Sequence, residues 1–383
     1  MTLAKFDVAI IGAGIVGAAC ALECIRAGMS VLVIESRIIG GGATAAGMGH
    51  LVVMDDSDAQ FALTRLSRDL WHEVAGTLPR DCEFETTGTI WVATDGEELK
   101  EVQRKYDFYR ERGVRVQVLD AKALNEAEPN LRPGLEGGLL VPDDAVLYPP
   151  CSAGYLLKEA ERIGGLDRFR LVQGKLAVTV DDAGVVLDDS STVSTGITVN
   201  ATGSLSPHLC PGLNVQPRKG HLVITDRYPG FLRHQLIELG YLKSAHSSTV
   251  DSVAFNIQPR QTGQLLIGSS RQYSGTSPEV EPGILRRMIM RACEYMPGLR
   301  ELSAIRVWTG FRAATPDKLP LIGPCNGSKR NFLATGHEGL GITTSLGTAR
   351  LLVDQLLSRA SAIPVEPYLP SRFEMVTGNE LHV

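Results

Sequence analysis

An α/β fold in two lobes is what this sequence predicts, and three observations carry the prediction. The chain has 383 residues, more than one ordinary domain needs. Near its start, DVAIIGAGIVGAACALECIRAG and MSVLVIES read as a buried strand, a glycine turn, a helix and a second buried strand. Further on, EFETTGTIWVAT and GQLLIGSSRQYSG alternate as strands, whereas EELKEVQRKYDFYRERG and PGILRRMIMRACEYMPG have the period of amphipathic helices with charged, solvated outer faces. The first unit predicts a parallel-stranded lobe, and the later segments an α+β lobe beside it.

The βαβ unit carries Gly12, Gly14 and Gly17 in GxGxxG spacing, with Glu35 at the end of the second strand, about 20 residues beyond them. Such spacing has a physical reading. The first glycine makes the tight turn, the second admits a pyrophosphate to the backbone, and the third lets helix and strand pack closely, while the helix N-terminus supplies free N–H donors. Glu35 can accept hydrogen bonds from a ribose, and a free acid there disfavours a 2′-phosphate. A Rossmann-type lobe binding an adenine dinucleotide is therefore expected.

Three further segments point to a flavin as the other half. SRIIGGGATAAGMGHL, after Glu35, is too rich in small residues for a packed helix and lets backbone pass close to a flat ligand. NFLATGHEGLGITTSLGTARLLVDQLLS reads as strand, loop and helix, with apolar Leu346, Ala349, Leu352, Val353 and Leu356. The loop from Gly336 to Gly341 thus precedes a helix whose dipole would stabilise negative charge at the N1 and C2 carbonyl end of a reduced flavin. GITVNATGSLSP reads as another strand, ending at a glycine, Gly203, beside the cofactor.

Composition excludes other classes. With 44% hydrophobic residues, 21% charged and a net charge of −5, the chain reads as soluble and offers no basic field for nucleic acid. Its seven cysteines show no CxxC pair, which predicts neither a disulfide framework nor a metal cluster, and a reducing cytoplasm is the default. The apolar run from Val8 to Leu22 is broken by glycines and lacks a basic leader, so it reads as fold and not as a signal peptide or membrane span. No internal repeat or long linker is visible.

GAGIVG with Glu35, ATAAGM, VNATG, WTGFRAATPDKLPLIG and ATGHEGLGI follow the order and spacing of the D-amino-acid oxidase and glycine oxidase family of FAD-dependent oxidoreductases, which the whole chain resembles. The resemblance implies noncovalent FAD in the Rossmann-type lobe and a second lobe whose mixed, largely antiparallel sheet roofs the substrate pocket. It places FAD contacts at Ile15, Val16, Glu35 and Ser36. Near the flavin it places Ala43, Thr44, Ala46, Gly47 and Met48, then Gly336, His337, Glu338, Gly339, Leu340, Gly341, Ile342 and Thr343. Arg312, the arginine of WTGFR, takes the substrate carboxylate, and hydride passes from the α-carbon to flavin N5 to give an imine.

Departures within the resemblance bear on substrate. Asn256 stands where glycine oxidases have a pocket tyrosine, Gly339 replaces a second pocket arginine, and Met48 counts among the pocket candidates. His50 is read either beside the ring or as satisfied by backbone; Tyr148, Lys219 and Tyr241 are further pocket candidates, and His337 holds its loop. GMGHLVVMDDSDAQFALTRLSRDLW and DDAVLYPP look most like catalytic subunits of bacterial hydroxyproline dehydrogenases, with opine oxidase and hydrogen cyanide synthase subunits nearby. The expected substrate is cis-4-hydroxy-D-proline or a similar D-imino acid, against glycine, sarcosine or an opine; a pure electron-relay or assembly subunit is the reading from another class. The acceptor is left open among oxygen, a quinone and a partner subunit. A hetero-oligomer with flavin or iron–sulfur subunits and peripheral inner-membrane association are the alternatives to a free cytoplasmic enzyme. The cofactor lobe is expected over 1–84, 142–214 and 309–383, the substrate lobe over 85–141 and 215–308.

Overall fold

The computed structural model describes residues 6–181, 184–240, 251–273 and 275–373. Tyr241 lies outside them.

Strand Phe6–Ile11 pairs in parallel with Val31–Glu35 on one side and Thr195–Asn200 on the other. The sheet extends to six strands, with Asn331–Thr335 and antiparallel Leu321–Pro324 at one edge and Phe169–Gln173 at the other. Side chains alternate along the first strand, so Val8 and Ile10 enter one core and Ala9 and Ile11 another. That explains the unbroken apolar run. The first core is shared with helices Ile15–Arg26, Asp58–Val74, Pro149–Arg168 and Gly341–Leu356; the second is closed by Ala177, Val185, Leu187 and Val193 of a small three-stranded sheet.

The second sheet has eight strands, in the order Ala304–Ala314, Gln216–Arg227, Gln264–Arg271, Ser252–Pro259, Gln235–Glu238, Thr89–Ala93, Gly137–Val141 and Gln117–Asp120. Only Gln235–Glu238 and Thr89–Ala93 run parallel, so the sheet is mixed and largely antiparallel. One face buries Ile90, Leu236, Phe255, Ile257, Ile267 and Val223 under helix Pro282–Tyr295. On the other face a row runs from strand to strand through Leu139, Trp91, Ile237, Asn256 and Gly268, with Leu222 and its partner Trp308 continuing it. Arg312, although it falls in a span expected for the cofactor lobe, stands on this sheet, opposite Arg218.

Two expectations are corrected. Helix Gly96–Glu111 is not solvated along all its charges: Lys105 is fully buried, paired with Asp55 and 4.3 Å from the Trp91 ring centroid, and Glu98 accepts from Thr94 N at 2.7 Å. A long aliphatic stem lets lysine cross an apolar layer when a carboxylate waits behind it, a contact 50 residues away in sequence and invisible to helical periodicity. Likewise Cys210 and Cys325 form a disulfide across a sequence separation of 115, because the segments following Thr195–Asn200 and Leu321–Pro324 meet in one small core with Leu213, Leu321 and Leu333. Cys20, Cys24, Cys82, Cys151 and Cys293 are free thiols. Among the described residues no helix is long and apolar enough to cross a membrane.

Candidate active site

Gly12 ends the first strand at φ +103°, where a Cβ would stand 2.8 Å from Ala201 O, and a Cβ on Gly17 would overlap Gly12 O. Helix Ile15–Arg26 therefore starts tight against the sheet. Gly14 is its N-cap, with no side chain to cap it and no acid in the first turn, whereas Ser57, Asp95 and Asp120 cap three other helices with their own side chains. Thr44, on the single helical turn Gly42–Ala45, accepts from Ile15 N at 3.0 Å, and a Cβ on Gly14 would lie 3.2 Å from its hydroxyl. The two carboxylate oxygens of Glu35 accept from Ala13 N and Arg37 N, each at 2.8 Å, which anchors the acid beside the turn. Ser36 is exposed next to it.

A second bare helix start lies alongside. Strand Asn331–Thr335 leads through Gly336, at φ +77°, to helix Gly341–Leu356, whose N-cap, Leu340, supplies no side-chain cap. Val16 and Gly341 bring the two helix starts together, since a Cβ on Gly341 would lie 3.9 Å from Val16 Cγ2. His337 is buried against Thr348 Oγ1 at 2.9 Å, and burial holds its pKa down to about 3. It is a neutral strut for its loop. Thr343 Oγ1 donates to His50 O at 2.7 Å, Ile342 O accepts from Trp71 at 3.3 Å, and Gly47 leaves room for the Ile342 side chain. Gly203, at φ +61°, is tied to the strand end by Thr335 Oγ1 at 2.9 Å.

Glycines on the eight-stranded sheet let these loops reach its inner face. A Cβ on Gly310 would overlap Ala46, and one on Gly268 would lie 3.1 Å from Met48 Sδ. Gln258 Nε2 holds Met48 O at 2.6 Å. Over the third glycine, Gly220, lies the Arg312 guanidinium, whose Nη1 donates to Ser270 O at 3.0 Å. Gly339 passes beside it, its Cβ position 3.3 Å from Arg312 Nε, and Glu338 pairs with Arg218 at 2.7 Å. Asn256 Oδ1 is buried with no partner among the described residues; the His50 imidazole lies beside the Gln258 side chain, and burial holds its pKa down to about 4.

Other candidates fall elsewhere. Lys219 projects to the face opposite Arg312 and pairs with Glu281 at 2.9 Å, because neighbouring residues of a strand alternate. Tyr148 lies 5.1 Å from the Arg260 guanidinium and is partly exposed. Ala43 is exposed on its helical turn. Sequence reasoning did not find Gly220, Gly268, Gly310, Ser270 or Gln258; glycines inside strands were the available signal, since they mark a close approach. Among the described residues no cluster of three or more His, Cys, Asp or Glu could hold a metal.

Two adjacent helix starts whose N-cap residues, Gly14 and Leu340, give no side-chain cap, one anchored acid and a sheet face hollowed by glycines fit an elongated ligand with phosphates near its middle and a flat ring at one end. That shape is a flavin adenine dinucleotide, and the class is that of FAD-dependent oxidoreductases. The chain belongs to the DAO family, FAD dependent oxidoreductases, whose model matches residues 7–355. It is 28% identical over 382 residues to the glycine oxidase of Geobacillus kaustophilus, covering 96% of this chain and 97% of that protein. It is 27% identical over 417 residues to a hydrogen cyanide synthase subunit of Pseudomonas protegens, with 96% of each covered. The crystal structure of glycine oxidase from Geobacillus kaustophilus matches with a TM-score of 0.85 at 25% identity, over 97% of this chain and 99% of that one. L-proline dehydrogenase from P. horikoshii shares the fold, with a TM-score of 0.85 at 23% identity over 96% and 98% of the chains.

Proposed function

We propose that this enzyme oxidises the C–N bond of a small amino or imino acid, with cis-4-hydroxy-D-proline or a related D-imino acid as substrate. The observation that carries the reading is Arg312, a cation seated on the glycine-lined face of the eight-stranded sheet, where its Nη1 donates to Ser270 O. A guanidinium is planar, always charged and shaped to grip a carboxylate bidentately. Asn256, on the same sheet face with its Oδ1 unpartnered among the described residues, would take a polar substituent such as a ring hydroxyl, which glycine lacks. Met48 supplies an apolar wall, and His50, neutral at physiological pH, supplies a hydrogen bond and not a proton store.

Bound FAD supplies the acceptor for the hydride leaving the α-carbon. The glycine turn with Gly12, Gly14, Ile15, Val16 and Gly17 would take the pyrophosphate, Glu35 the ribose, and the helix start from Gly339 to Thr343 the flavin end. These chain residues bind, orient and shield; no side-chain base is required, because a neutral amine already carries the lone pair that drives the hydride out. Spans 1–84, 142–214 and 309–383 are assigned to the cofactor and 85–141 and 215–308 to the substrate, which membership of the two sheets supports except at strand Ala304–Ala314.

Anaerobic mixing of the holoenzyme with cis-4-hydroxy-D-proline, D-proline, glycine, sarcosine and an opine tests the reading. The expected result is fastest loss of flavin absorbance with the hydroxylated imino acid. Fast bleaching by glycine or the opine alone would overturn that choice of substrate, and no bleaching by any of them would favour a relay subunit. Admitting air or a quinone to the reduced protein then separates oxygen or quinone from a partner subunit as acceptor; the likeness to a hydrogen cyanide synthase subunit supports the partner.

A further inference from the structure

Ser270 faces two ways. Its carbonyl accepts from Arg312 Nη1 at 3.0 Å, and its hydroxyl oxygen meets two groups of a single residue, His221 N at 2.9 Å and His221 Nδ1 at 3.0 Å. Both Ser270 and His221 are buried, the histidine completely. On the far side of the imidazole, Glu281 N donates to Nε2 at 3.0 Å. A backbone amide can only donate, so Nε2 carries no proton and Nδ1–H must point at Ser270. Glu281 is itself held through its carboxylate by Lys219 at 2.9 Å and Gln272 at 2.8 Å, and Gln272 N returns to Lys219 O at 3.0 Å.

We propose that His221 is a positioning residue for substrate binding: through Ser270 it fixes the plane of the Arg312 guanidinium. The inference rests on the reading of Arg312 as the carboxylate anchor. A misplaced fork loses one of the two parallel bonds to a carboxylate without losing its charge, so affinity falls while chemistry on bound substrate persists. The charged groups facing the ring are Lys219 and Glu281, with Arg312 reached through Ser270; Asp251 reaches Gln272. Burial first, then Lys219, push the imidazole below its usual range, against a smaller opposing pull from Glu281. The neutral, positioning form is therefore present above the folded pKa and is lost as pH falls through it, when a protonated Nε2 must turn away from Glu281 N.

The test uses the holoenzyme and three variants. His221→Leu is expected to raise KM for the amino acid and the inhibition constant of acetate about tenfold, with kcat and bound FAD nearly unchanged. His221→Asn, which keeps a donor where Nδ1–H stood, recovers most of that loss. Ser270→Ala, which deletes the hydroxyl and leaves the carbonyl, repeats the KM rise and serves if His221→Leu does not fold. Wild-type KM rises on acidification below the usual histidine range, and the Asn variant removes that limb. Equal loss in the Leu and Asn variants, or a kcat loss without a KM change, overturns the proposal. Arg312→Met separates the two readings. If it leaves KM unchanged the carboxylate anchor itself is wrong, whereas if it weakens binding and His221→Leu does not, only the positioning role is wrong.

Discussion

The guanidinium of Arg312 fills the space that a side chain at Gly220 would occupy: a Cβ there would lie 2.5 Å from Nη1 and 3.0 Å from Cζ. The two residues sit on adjacent antiparallel strands, in register through Arg218 opposite Arg312 and Gly310 opposite Gly220. Ordinary backbone would accept alanine at 220, so the glycine is needed for the arginine and not for the strand. Gly220→Ala is expected to raise KM about tenfold or more, with FAD content and fold retained, since one methyl displaces the cation by a fraction of its bond length to the substrate. Steady-state kinetics with the preferred substrate decides it. An unchanged KM would show that Arg312 does not bind substrate from this seat.

Glu35 makes a complementary test of the cofactor end. Its carboxylate is fixed by Ala13 N and Arg37 N, which aims it at one place. Glu35→Ala removes both acceptors, and FAD affinity is expected to fall roughly ten- to a hundredfold. Glu35→Gln, which keeps one acceptor, should fall between. Equilibrium dialysis of the apoprotein against FAD measures both, and wild-type affinity in the alanine variant would remove Glu35 from the ribose.

Asp144 gives a pH signature of stability. It accepts from Arg68 Nη1 at 3.0 Å and from Val53 N at 3.3 Å, yet burial outweighs the arginine and pushes its pKa up to about 6. A carboxyl whose folded pKa exceeds its unfolded value adds stability that is full below the unfolded pKa and is lost as pH rises through the folded one. Wild-type stability therefore carries a term that falls between about pH 4 and 6, on the order of 3 kcal/mol. Asp144→Asn removes it. Urea unfolding across that window, read as the difference between the two proteins, should show the slope; parallel curves would refute it.

The parts of this protein legible from sequence are those whose cause is local. Gly12, Gly14 and Gly17 are required by a turn only a few residues long, and Glu35 follows from the length of one helix and one strand. The loop before helix Gly341–Leu356 is legible for the same reason, as are the alternation of Val8 to Ile11 between two cores and the isolation of Arg312 in a segment poor in charge. Lys219 shows where such reading stops. Residue type suggested a pocket lysine, and strand parity sends it to the opposite face.

By itself, the sequence determined a nucleotide-binding βαβ unit and a second lobe of strands and helices, because period and turn chemistry are written into neighbouring residues. Tertiary structure alone decided that Gly220 clears the seat of Arg312, that Ser270 and His221 stand behind it, that Lys105 finds Asp55, and that Cys210 meets Cys325. Each joins residues many positions apart through strand order and register. Backbone hydrogen bonds are the same for every side chain, so register is chosen by which side chains a face buries, and that is settled only when the strands pack together.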